Sequence, residues 1–334
     1  MMGFLTRGSL LEHPWPASMT LNVSEDVLLE ILTYHQVPAH FLSFLVSGGG
    51  GGGAWSFASS MRFAGFVGSS TLPPRKRQPG LPGLGRSGTH AQVCLTLFSI
   101  REYPLHALPK DTDPSQTPRW ETHTAVAYLH MDFVEGTAVW LLVTPRCYQA
   151  EKGKGTHNMI WDTLRDGLAS DLAALARFSV HERVRISLRC LLVLARWSVG
   201  MFSYHLQDTE RRLSDLTKPY VYPFENDDMI DDEPRESIHA QDLRRMAFLM
   251  ESRHGSVMRV ENNLRVLRNL RSLFVDEVFD NLENGQTNDI RGHIDDFADN
   301  MAVIIEDIED LLDRALALDK LARNREEYVS RDKR

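Results

Sequence analysis

Residues 287–330, TNDIRGHIDDFADNMAVIIEDIEDLLDRALALDKLARNREEYVS, decide how this chain folds. Within them Ile294, Phe297, Met301, Ile304, Ile308, Leu311, Ala315, Leu318 and Ala322 recur at alternating steps of three and four. An α-helix turns once in about 3.6 residues, so these steps place the whole set on one stripe. A stripe held over several heptads is a seam for packing against other helices. Ile305 and Leu312 widen it into a second contact face. At 1.5 Å per residue the helix is expected to be roughly 65 Å long, more than a compact domain needs. That length predicts a stalk or an oligomer contact through the seam. The alternative is a seam buried inside this chain, partly covered by the helix that precedes it.

That preceding helix is predicted from about Ser237 to Leu282. Asn284-Gly285 links the two, and so short a polar connection makes them antiparallel neighbours. Upstream, His181 to Leu216 predicts another long helix, with Val184, Leu188, Leu191, Leu192, Ala195, Val199 and Phe202 on a broad apolar face. Pro219 and Pro223 are expected to stop it. Ile160 to Ala176 has similar spacing. The amino-terminal half reads differently. Gln92 to Ser99, Thr124 to Phe133 and Thr137 to Val143 are strand candidates, the last two joined at Glu135-Gly136 as a hairpin. Ser24 is placed to cap a short helix carrying Val27, Leu28, Ile31 and Leu32.

These signals predict an α+β fold in four parts. Residues 1–23 are a disordered terminus. Residues 24–150 form an α/β region with a short antiparallel sheet and a flexible Gly/Pro/Ser-rich insert at 67–90. Residues 151–234 are helical and end in an acidic loop. Residues 235–334 are the long helical pair. No segment reads as a membrane span. Ile31 to Met61 has no Asp, Glu, Lys or Arg but contains Pro38 and six consecutive glycines, Gly48 to Gly53. Ile186 to Leu206 is interrupted by Arg189 and Arg196.

The formal charge of −8 argues against a dedicated nucleic-acid binder, which would ordinarily be basic. Three scattered cysteines, Cys94, Cys147 and Cys190, fit a reducing compartment and exclude a disulfide framework or a cysteine zinc site. Gly83-Leu-Gly85-Arg-Ser-Gly88 matches GxGxxG, but a strand follows it where a dinucleotide site needs a helix. His35 and His40 lie five apart, which does not put two ligands on one helical face. Pro74-Arg75-Lys76-Arg77 is an anion patch or nuclear address in form, and a solvated charge cluster by context. Asp227, Asp228, Asp231 and Asp232 offer hard oxygen ligands, but without the glycine and terminal glutamate of an EF-hand; a solvated loop is the competing reading. No nucleophile-elbow or HExxH sequence is present, so no enzyme is predicted.

Several segments, taken in order, resemble a fungal CorA-like transporter domain, the soluble part of a divergent branch of the CorA magnesium-transporter superfamily. They are Leu32 to Val37 (LTYHQV) with Phe41-Leu-Ser-Phe-Leu, Arg62-Phe-Ala-Gly-Phe66, and Arg86-Ser-Gly with the strand through Cys94. Thr124-Ala-Val-Ala-Tyr128, Val139-Trp-Leu-Leu-Val143, Asp242-Leu-Arg-Arg and the run Asn263 to Leu270 continue the series. The resemblance implies divalent-cation transport with Mg²⁺ as the candidate ion, homo-oligomers or partner helices meeting the carboxy-terminal helix, and a place at the cytoplasmic face of a membrane. The family's ion-site motifs are not matched, so no metal ligand carries over. The expected role is regulation or assembly of a transporter, without transport by this chain alone. A helical interaction or scaffold module is the alternative.

Overall fold

A computed structural model describes residues 2–7, 24–47, 63–68, 81–102, 120–145, 163–164, 168, 177–221, 240–282 and 287–331. Its centre is a five-stranded sheet in the order β1-β5-β4-β3-β2. The strands are β1 (Met2–Arg7), β2 (Phe63–Gly68), β3 (His90–Glu102), β4 (Trp120–Asp132) and β5 (Ala138–Pro145). β2 to β5 are antiparallel, and β1 joins the far edge parallel to β5, with Met2 opposite Trp140. The helices are α1 (Glu25–Tyr34), α2 (Phe41–Ser47), α3 (Val180–Val199), α4 (Phe202–Val221), α5 (Ala240–Ser272) and α6 (Thr287–Arg331). The fold is α+β, as the sequence predicts.

Strand side chains alternate between faces, and here both faces are covered. Ala91, Val93, Leu95 and Leu97 of β3, with Ala125, Ala127, Leu129 and Met131 of β4, point into the main core shared with α3, α5 and α6. Cys94 of β3, Val126 and Tyr128 of β4, and Leu141 and Val143 of β5 point the other way, onto Leu32 of α1 and Phe41, Phe44 and Leu45 of α2. Double coverage explains why β3 is buried along nearly its whole length.

Past Leu95, β3 has no β2 residue opposite it. Asn263 of α5 closes that open edge. Its Oδ1 accepts from the Phe98 amide at 2.9 Å, and its Nδ2 donates to the Phe98 carbonyl at 2.7 Å and to the Ser198 carbonyl of α3 at 3.2 Å. One buried amide thus joins α5, α3 and the sheet. Asn263→Leu keeps the volume but removes all three of these bonds. It is expected to cost about 2–3 kcal/mol, read as a lower denaturation midpoint at unchanged slope.

Several expectations need correction. Met2–Arg7, predicted to be unstructured, is a strand. Its pairing depends on the free edge of β5, which a local reading does not contain. The insert predicted at 67–90 is ordered at both ends, by β2 through Gly68 and by a bridged turn between Leu81 and Arg86. The long helix predicted from His181 is two, interrupted at Gly200-Met201, and α4 continues through Pro219 to Val221. α3 starts at a capping box in which Glu182 accepts from the Ser179 amide at 2.8 Å. α5 passes into a π-helical stretch, Leu273–Val278, before ending near Asn281. In the span predicted as the helix Ile160 to Ala176, the described residues Leu164 and Leu168 are buried in the main core. The glycine run, the basic cluster at 74–77 and the acidic loop at 225–234 lie outside the described residues.

Candidate functional site

The seam of α6 is occupied by this chain's own helices. Ile294, Phe297, Met301, Ile304 and Ile308 are buried in the main core with Leu264, Leu267, Leu270 and Phe274 of the α5 limb. The rings of Phe274 and Phe297 meet edge to face at 5.1 Å. Ala315 packs with Leu206 of α4 and Val257 of α5, and the partly buried Leu311 joins them. Leu318 and Ala322 pack with Leu213 and Met246. These are contacts within one chain. An oligomer contact through these nine residues would require the helical stack to open. Among the described residues, the large apolar side chains that α6 exposes are Val303, Leu316 and Leu321, on its other faces.

Two polar joints hold this stack. In the first, Arg253 of α5 donates to the Leu318 carbonyl at 3.1 Å and pairs with Asp319 of α6, which also binds Arg323 at 2.8 Å. In the second, Trp120 Nε1 of β4 donates to Asp208 of α4 at 2.9 Å, and Arg211 and Arg212 hold the same carboxylate. Next to it His205 Nε2 lies 2.8 Å from Ser256 Oγ, both buried, with the Trp120 ring edge-on at 5.4 Å. Ser, His and Asp are all present, but they do not form a charge-relay triad. Asp208 is engaged by cations and an indole, and His205 Nδ1 has no hydrogen-bond partner.

Burial pushes His205 down to about 4, helped by the Arg259 charge and opposed by Asp208. The folded value lies below the unfolded one. The neutral ring's contribution is therefore complete above about pH 6.5 and is lost as pH falls from there toward 4. Between pH 7 and about pH 5.5 this residue alone is expected to remove about 1 kcal/mol. His205→Gln keeps a partner for Ser256 and should flatten that part of the stability-versus-pH curve.

A third polar cluster lies at the sheet corner where the apolar cover of α1 and α2 gives out. The cross-strand register sets His90 opposite Asp132, Gln92 opposite His130 and Cys94 opposite Tyr128, all on one face. Asp132 is fully buried. Its carboxylate accepts from the Ser87 amide (2.6 Å), the Ser87 hydroxyl (2.9 Å), and the amides of Val134 (3.0 Å) and Glu135 (2.9 Å). The GxGxxG stretch is therefore a structural turn. Gly85 sits at φ +62°, and its carbonyl accepts from Thr137 Oγ1 at 2.5 Å. Arg86, buried beside it, donates to the His35 carbonyl at 2.5 Å and to Gln36 Oε1 at 3.4 Å. The rings of His90 and His130 stack at 4.6 Å, and Cys94 Sγ lies 3.6 Å from His40 Nε2. Burial raises the Cys94 thiol to about 12, so it is no ready nucleophile. Residue-level reading missed His90, His130 and Asp132. Their only signal was a period of two with polar residues on one face, which ordinarily marks a solvated side.

Among the described residues no group of three or more His, Cys, Asp or Glu side chains could hold a metal ion. One described stretch, Val180–Lys218, is long and apolar enough to cross a membrane. Half of its most apolar window is buried in the fold, where α3 covers the sheet.

A two-sided sheet with a helical cap on one face and a helical stack on the other defines an α+β body in which the three polar clusters described above serve as joints. A family model described as CorA-like transporters matches residues 16–221, more than half of the chain, and the chain belongs to that family. It is therefore related to divalent-cation transporters. The match takes in β2 to β5 and α1 to α4 and ends before α5 and α6. No curated protein matches.

Proposed function

We propose that this α+β body and its helical stack form a regulatory or assembly part of a CorA-like divalent-cation transporter, not transporting by themselves, with Mg²⁺ as the ion sensed. The family match over the sheet and its helices carries the reading, since CorA-like members are membrane proteins that move such ions. The 45-residue α6 supports it, as a rod of roughly 65 Å can convey a displacement between distant surfaces. Because the seam is filled, assembly in this reading uses the outward faces of the stack.

The test is light scattering together with thermal unfolding of the chain, with and without millimolar Mg²⁺. An oligomer whose melting temperature rises with Mg²⁺ is expected, because an ion that binds only the folded state stabilises it by mass action. A monomer indifferent to Mg²⁺ overturns the proposal. It would favour a helical interaction module instead, a reading that draws support from the filled seam and from the want of a three-ligand cluster among the described residues.

A further inference from the structure

We propose that Arg86 and the stacked His90–His130 pair form an acid-released latch that holds the α1–α2 cap on the sheet. Leu32, Phe41, Phe44 and Leu45 are the cap's buried apolar side chains among the described residues. Its polar anchor is at the turn after α1, where Gln36 adopts a φ of +49°. There Arg86 donates to the His35 carbonyl and to Gln36 Oε1. Among the described residues, the oxygens that accept from Arg86 are neutral.

The groups around the latch decide which way it responds. From β4 come His130, Asp132 and Tyr128; from β3, His90 and Cys94; from the 81–89 segment, Arg86; from the cap, His35 and His40. From β2 the neighbour is the Phe66 ring, 6.1 Å from His90. Neither ring nitrogen of His90 makes a full hydrogen bond, although the Gly88 carbonyl lies close enough to favour its protonation. Asp132 is the counter-charge in the group, and its oxygens are already committed to Ser87, Val134 and Glu135. Protonating His90 puts a cation face to face with His130 and within the field of Arg86. The turn around Asp132 is tied by the Ser87, Val134 and Glu135 donors, whereas Arg86 reaches the cap through the two bonds to His35 and Gln36. Repulsion is therefore relieved by releasing Arg86 from His35 and lifting the cap, which lets water reach the new charge.

The titrations have the matching sign. Burial holds His90 below its ordinary value, with Asp132 opposing, and takes His130 down to about 3, with His90 and Arg86 adding to the effect. His35 is lowered by burial and by Arg86. Closure is thus complete above about pH 6.5 and is lost progressively as pH falls toward 3. Lifting the cap moves His35 and the Arg86 anchor point away from His130 without unfolding the sheet, so it precedes global acid unfolding.

Hydrogen exchange on the full chain at about pH 7 and about pH 5.5, corrected for intrinsic rates, tests this. Peptides within residues 25–47 should open about tenfold more at the lower pH, while those within 263–270 stay protected. The double variant His90→Phe/His130→Phe should abolish the difference, and Arg86→Gln should show an open cap at both pH values. A uniform rise across the chain, or a cap response that survives the double variant, overturns the proposal. If the double variant does not fold, ring titration by NMR in the unaltered chain decides. His90 titrating with no change in the signals of residues 25–47 refutes the latch, and a shared midpoint supports it.

Discussion

Asp132→Ala is expected to cost about 4–5 kcal/mol, a large share of the roughly 5–15 kcal/mol that holds a domain folded. The reason lies in what this carboxylate satisfies. It sits fully buried at the end of β4 and accepts from three backbone amides and one hydroxyl. Two of those amides, on Val134 and Glu135, belong to the turn into β5. The other donors, on Ser87, belong to the turn before β3. Hydrogen bonds to a charged group contribute about 1.5–3 kcal/mol each, and a buried donor left unpaired costs about 1–3 kcal/mol. Alanine removes every acceptor at once and leaves a cavity too small to rehydrate all four donors. The turn has little freedom to compensate. Gly136 sits at φ +62°, and a Cβ there would come within 2.9 Å of the Val180 backbone. Asp132→Asn separates charge from geometry. Its remaining oxygen can serve Val134 and Glu135, but its amide nitrogen would meet the Ser87 amide donor to donor. About half of the alanine effect is expected. Urea unfolding of both variants checks the ordering, and an asparagine variant as stable as the parent would rule out the charge-assisted network.

The helices were the most legible part of this chain, and the polar joints the least. Ile294 through Ala322 announce a helix because the 3.6-residue period is local, and α6 runs from Thr287 to Arg331 as the spacing predicts. What the stripe packs against is not local. The same seam would serve a partner chain or the neighbouring α3, α4 and α5, and the period is identical in both cases. Strands show the same division. The hairpin of β4 and β5 was readable from Glu135-Gly136, but β1 exists because β5 offers a free edge, and no short window contains that fact. His90 and Asp132 lie far apart in sequence and are set opposite each other by antiparallel register. Asn263 sits on a face of α5 that no amphipathic pattern marks, because its partner is a bare strand edge. Such residues become visible only with the sheet in place. The ordered family resemblance carried more functional information than any single motif, since each motif alone had a structural explanation.

Asp319→Ala is expected to destabilise the stack by about 3–5 kcal/mol, while Arg253→Met costs only about 1 kcal/mol, although the two residues are partners. The asymmetry follows from where each charge sits. Arg253 is 3% exposed, whereas Asp319 is 17% exposed and keeps a second cation, Arg323, at 2.8 Å. Desolvation lowers the basicity of the Arg253 guanidinium, and Asp319 acts against that. Removing Asp319 leaves a buried guanidinium with the Leu318 carbonyl as its remaining bonded acceptor. Removing Arg253 leaves a carboxylate near solvent that is still paired. A methionine of similar length replaces a desolvated charge with apolar contact. The double variant Arg253→Met/Asp319→Ala should then recover most of what Asp319→Ala alone loses, because no uncompensated charge remains. Equal losses in the two single variants would mean that the pair contributes through its bond geometry, not through the burial of one charge. Chemical denaturation of the three variants distinguishes these cases. A recovering double variant would also show that the lower end of α6 is held chiefly by apolar packing, with the ion pair fixing the register of α6 against α5.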